Sequence, residues 1–139
     1  MTFAYDPHPG LARMGGDVAD YLRLAPGYVA AMFAGPKAAL LPAYERLYEL
    51  ARTYEVKISP GQTIVPIYRK HVIAQIKPST RTRIDFGLAL KDTPAKGRLI
   101  DTGGLAKKDR ITHRIEISSP ADVDTFVETW FKRAYEMDA

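Results

Sequence analysis

The sequence predicts an α+β domain: an antiparallel meander sheet of about five strands, with N-terminal helices and a C-terminal helix packed on one face. Three observations carry that expectation. Tyr44, Leu47, Tyr48, Ala51 and Tyr54 recur at steps of three and four, which places them on one helical stripe. Beyond Tyr54 the apolar residues recur every second position, in short segments rich in β-branched side chains. From Ser119 onward the helical spacing returns behind a capping signal.

Residues 1–16 carry Pro7, Pro9, Gly10, Gly15 and Gly16, a density of backbone punctuators that predicts a flexible arm ahead of a single domain over 17–139. Asp17 suits a helix N-cap, with a short helix through Leu24, a break at Pro26-Gly27 and a second helical piece over Tyr28 to Phe33. Pro36 and Pro42 each belong in a first helical turn, so the stretch from Pro36 to Leu41 is separate from the main helix, which runs from Pro42 to Tyr54.

The strands are Val56 to Ser59, Thr63 to Tyr68, Val72 to Lys77, Thr82 to Leu90 and Thr112 to Ile117. Links of two to four residues between the first four join only antiparallel neighbours. Pro66 cannot donate to a ladder, which sends its strand to an edge or a bulge. Ile84, Phe86, Leu88 and Leu90 form one inner face, Val72, Ala74 and Ile76 a second, and Ile111, His113, Ile115 and Ile117 a third. Ile73, Gln75, Lys77, Arg83, Asp85, Thr112, Arg114 and Glu116 then point outward.

Ser119-Pro120-Ala121-Asp122 reads as a capping box with proline in the first turn. Val123, Phe126, Val127, Trp130, Phe131 and Ala134 follow on one stripe, which predicts a helix that closes the core with three aromatics.

Composition narrows the function classes. The 139 residues contain no cysteine, which excludes disulfides, thiolate metal sites and cysteine nucleophiles, and fits a reducing, cytoplasmic setting. No apolar run reaches membrane-spanning length, and the first twenty residues lack the basic start and apolar run of a signal peptide. The net charge of +4 is unevenly spread. Residues 1–61 balance, residues 62–117 hold twelve Lys/Arg against five Asp/Glu, and residues 118–139 are acidic. Such asymmetry either attracts an anionic partner or is answered within the fold.

Three blocks stand out as motifs: FAGPKAALLPAYERL (Phe33 to Leu47), YRKHVIAQIKPSTRTRIDFGLAL (Tyr68 to Leu90) and THRIEISSPADVDTFVETWFKRAYE (Thr112 to Glu136). In order and spacing they resemble the signature blocks of the bacterial domain of unknown function 5655 family, over about residues 33–138. The resemblance implies a small α+β domain, in some proteins attached to other modules, with no catalytic residues to carry over. This chain departs from the family at Val72-Ile73, where an aromatic is common, at His71, where lysine is, and at Pro66.

The candidate binding residues are Lys77, Arg81, Arg83 and Arg114, with Arg69 and Lys70 as the adjoining turn. A basic sheet face would neutralise phosphates of an anionic partner, nucleic acid being the natural one. Against that, Arg83 and Arg114 could pair with Asp85 and Glu116 across strands. The segment from Lys91 to Ile111 lacks periodicity, and its Gly103-Gly104 before Lys107-Lys108 lacks the spacing of a phosphate loop. The three histidines, His8, His71 and His113, show no metal-ligand spacing, and no cofactor motif is present. Two other readings are a self-association module, homodimeric through the Pro66 strand or the tyrosine-rich helices, and an enzyme with His113 as acid-base in a pocket under the 91–111 loop.

Overall fold

A computed structural model describes residues 3–139. Helix α1 spans Val18–Met32, a 3₁₀ turn Gly35–Leu40 follows, and α2 spans Leu41–Arg52. Six strands come next: β1 Lys57–Ile58, β2 Val65–Tyr68, β3 Val72–Pro78, β4 Ile84–Leu88, β5 Ile100–Asp101 and β6 His113–Ile117. A 3₁₀ turn Pro120–Asp122 leads into α3, Thr125–Met137. Among the described residues no single helix is long and apolar enough to cross a membrane.

The expected break at Pro26 does not occur, and α1 runs through it. Proline at this position deprives the Leu22 carbonyl of its donor, but Leu22 and Pro26 are both exposed, so water can serve that carbonyl. The Asp17 side chain caps α1 by accepting from the Asp20 N–H at 3.1 Å. In α2, Tyr44, Leu47, Tyr48 and Ala51 are buried as their spacing requires.

The sheet order is β1-β2-β3-β4-β6-β5, every pair antiparallel. The first four strands form the meander. The sixth strand, β5, lies within the segment expected to lack periodicity; two residues are too few to show a pattern. Pro66 does not sit at the edge, because β1 pairs outside β2. Its carbonyl accepts from the Ser59 N–H at 3.1 Å, but it has no N–H to return, and β1 ends at Ile58.

One bulge changes the face of one residue. Ile67 pairs with Ala74 and Tyr68 with Val72, which leaves Ile73 as the extra residue. Expected outside, Ile73 is turned inward and fully buried. Thr112 was also expected outside. It precedes β6 and is buried, its hydroxyl oxygen accepting from the Leu90 N–H at 3.0 Å.

The capping sequence at Ser119 works one turn early. The Asp122 carboxylate accepts from the Ser118 and Ser119 N–H groups at 2.7 and 3.2 Å, which fixes the 3₁₀ turn. Asp124 then caps α3 itself, accepting from the Val127 N–H at 3.2 Å. Helix α3 packs on β3 and β4. Of its three stripe aromatics only Phe131 is fully buried, with Phe126 and Trp130 at the margin.

Within the segment expected as a flexible arm, residues 3–6 are held against the domain. Phe3 packs edge-on against the Tyr48 ring at 4.8 Å between centroids, and the Tyr5 and Tyr44 hydroxyls share a 2.8 Å hydrogen bond. Asp6 bonds to both polar backbone groups of Ile58 and pairs with Arg52 at 3.0 Å. The chain start therefore covers the edge that β1 would otherwise expose.

Candidate functional site

The six sequence-predicted binding residues fall into three places. Arg83 and Arg114 lie on the outer face of the sheet, but Asp85 and Glu116 lie between them. Arg83 contacts Asp85 at 3.0 Å and Glu116 at 3.5 Å; Arg114 reaches the same two carboxylates at 3.7 and 3.4 Å. Two cations are answered by two anions. The face is a near-neutral network, and only Lys77, opposite Asp85 in register, adds net charge. Arg81 sits in the exposed β3–β4 turn.

Arg69 and Lys70 lie in the β2–β3 turn, at the other end of β3, roughly 20 Å away for a strand of this length. Arg69 is committed to α3: its guanidinium donates to the Tyr135 carbonyl at 2.8 Å and stacks 4.0 Å above the Tyr135 ring. Lys70 is exposed.

At this end of the sheet the chain assembles something the sequence did not single out. Asp138, 8% exposed, follows α3 and reaches back to the turn, 67 residues away for His71. Its carboxylate accepts from the Lys70 and His71 N–H groups at 2.8 and 2.7 Å, meets the His71 ring Nδ1 at 2.8 Å, and faces Arg110 at 3.6 Å. Burial raises the Asp138 pKa, but these hydrogen bonds and the nearby imidazole outweigh it, leaving the carboxyl below its ordinary value. Arg110 also donates to the Val72 carbonyl at 3.0 Å, which ties the β5–β6 loop to the same turn.

Beside Asp138 opens a cleft of about 280 Å³, lined by Ala89, Lys91, Leu105, Lys108, Arg110 and Met137 among others. Lys91 and Lys108 both hold left-handed backbone, φ 52° and 61°. That conformation costs roughly 1–2 kcal/mol for a residue with a Cβ, and such outliers gather at functional sites. Among the described residues no lysine makes an ion pair, Lys77 on the outer face included, whereas Arg83 and Arg114 are paired.

The loop carrying Lys107 and Lys108 is shaped by its own hydrogen bonds. The Gly103 and Gly104 N–H groups donate to Asp101 and Thr102 side chains at 2.7 and 3.1 Å, so they are not free to cradle a phosphate. A Cβ on Gly104 would come within 2.0 Å of the Ile111 carbonyl oxygen; glycine permits the close return of this loop.

His113 is not placed for acid-base work. It is 1% exposed, with Nδ1 2.7 Å from the Thr112 hydroxyl and Nε2 2.8 Å from the Thr93 carbonyl. Both ring nitrogens are satisfied inside the core.

Fold and cleft together define a small one-sided antiparallel α+β domain with Lys91, Lys108 and Arg110 around a cleft at one sheet end. The chain belongs to the DUF5655 family, a domain of unknown function, whose model matches residues 29–138. No curated protein and no solved structure matches the chain.

Proposed function

We propose that this is a binding domain that contacts an anionic partner, nucleic acid in particular, in a cytoplasmic setting, through the basic end of the sheet rather than its outer face. The observation that carries the reading is convergence: Lys91, Lys108 and Arg110 line the cleft with Asp138, which also holds the Lys70 N–H, and Lys107 lines an adjoining hollow with Arg110. Unpaired lysines are available to replace counterions on phosphates, whereas the arginines on the outer face already have carboxylates.

Fluorescence anisotropy with labelled DNA and RNA at several salt concentrations tests this. Four phosphate contacts correspond to a slope of log K against log salt of roughly −3 to −4. Lys107→Glu with Lys108→Glu is expected to flatten the slope by about 2 and weaken binding to all sequences alike. Arg81→Gln with Lys77→Gln is expected to change little. Salt-insensitive binding, or a larger loss from the Lys77 and Arg81 pair, overturns the assignment to this end.

A second reading rests on a different observation. Val18 and Leu22, one turn apart on α1, are 36% and 40% exposed and share a face that a second copy could cover. Mass by light scattering across a concentration series is expected to rise if α1 pairs with a second copy; a constant monomer mass removes it.

A further inference from the structure

The cleft beside Asp138 combines an apolar floor with a rim on which Lys91 and Lys108 stand beside the Asp109 and Asp138 carboxylates, and this combination narrows what it can hold. Ala89 and Ala134 are buried at its base, and Met137 is half-buried beside them. Leu105 stands at the mouth, 51% exposed in a loop otherwise polar and basic. Lys91, Lys108 and Arg110 edge the opening together with the Asp109 and Asp138 carboxylates, the second of which faces Arg110 at 3.6 Å. A volume of about 280 Å³ falls at the small end of ligand sites and admits one ring system. An inorganic anion would leave the floor unused, and a duplex keeps its rings stacked inside and presents only phosphates.

We infer that the cleft receives a single nucleotide, its base against Leu105, Met137 and the alanine floor and its phosphate on Lys91 and Lys108. The inference rests on the reading above and adds that bases contribute to binding as well as charge. No aromatic ring is among the described lining residues, so the base is held by apolar contact rather than by stacking, which does not select one base over another. Lys91 and Lys108, both with left-handed backbone, come to this cleft from different segments.

The full chain is titrated with three labelled ten-nucleotide probes: a single strand, the same strand with every base removed, and a blunt duplex. The single strand is expected to bind about tenfold more tightly than the abasic strand at every salt concentration, with equal salt slopes, and more tightly than the duplex. Leu105→Ala, at an exposed position, is expected to reduce the difference between the two strands to twofold or less while leaving the slope unchanged. Lys91→Asn with Lys108→Asn keeps residues that tolerate the left-handed region and is expected to weaken both strands. Adenosine 5′-monophosphate gives a further arm: Leu105-sensitive binding marks a free nucleotide as a ligand, and its absence beside strand binding marks an unpaired nucleotide of a strand. Equal affinity for base-bearing and abasic strands, with the salt slope intact, overturns this inference alone. No salt-dependent binding of any probe overturns the broader reading with it.

Discussion

Phe131→Ala is expected to lower stability by about 3–5 kcal/mol, the usual cost of removing a buried aromatic from a packed core. Phe131 is fully buried on the sheet-facing side of α3, its ring 6.0 Å from Phe86 on β4 in a stacked arrangement and 5.1 Å edge-on from Tyr54. It is the side chain through which the last helix reaches both the centre of the sheet and the end of the α2 segment. No neighbour is positioned to collapse into the space, because Phe86 is fixed by its strand and Tyr54 is tilted against Tyr135 at 5.0 Å. Urea denaturation with matched slopes measures the loss, and Phe131→Leu, which refills most of the volume, is expected to cost about 1 kcal/mol. A loss below about 1 kcal/mol for the alanine variant would show that α3 is not what closes the core.

That helix was readable because its signals are local. Val123, Val127, Phe131 and Ala134 repeat on one face, and all four are buried. Likewise Ile84, Phe86 and Leu88 alternate, and the alternation is the pleat itself. What escaped the sequence depended on partners far along the chain. Ile73 faces inward because of a register shift against Ile67 and Tyr68, which no pattern within β3 records. Phe3 and Asp6 sit among prolines and glycines, yet their docking is decided by Tyr48, Arg52 and Ile58.

The basic middle was legible as composition but not as a surface. Arg83 and Arg114 alternate with Asp85 and Glu116 in plain view, and strand pairing brings the four together. Lys91 and Lys108 carry no sequence mark of their left-handed backbone, since glycine or asparagine is what that region usually announces. Nor does Asp138, one residue from the chain end, announce a turn 67 residues earlier.

Asp138→Ala is expected to cost about 3 kcal/mol and to loosen the basic end as a unit. The carboxylate accepts from two backbone N–H groups and the imidazole, and charge-assisted bonds of this kind contribute roughly 1.5–3 kcal/mol each before the shared acceptor is counted. Asp138→Asn keeps an oxygen for the Lys70 and His71 N–H groups but loses the charge, so its cost should be nearer 1–2 kcal/mol. The pH dependence separates charge from shape. The native carboxyl lies below its ordinary value, so the native state binds its proton less readily than the unfolded chain. The resulting stability is complete above the unfolded carboxyl value of about 3.9 and is lost as pH falls through the lower native one. The stability difference between the wild-type chain and Asp138→Asn should therefore hold steady above about pH 5 and shrink progressively as the medium is acidified below about pH 4. His71 is largely exposed, so Asp138→Asn should also free its turn and raise hydrogen exchange at Lys70 and His71 at neutral pH. Parallel acid unfolding profiles for the two proteins would place the holding force in packing of the last helical turn, leaving the Lys70 side of the cleft without its anchor.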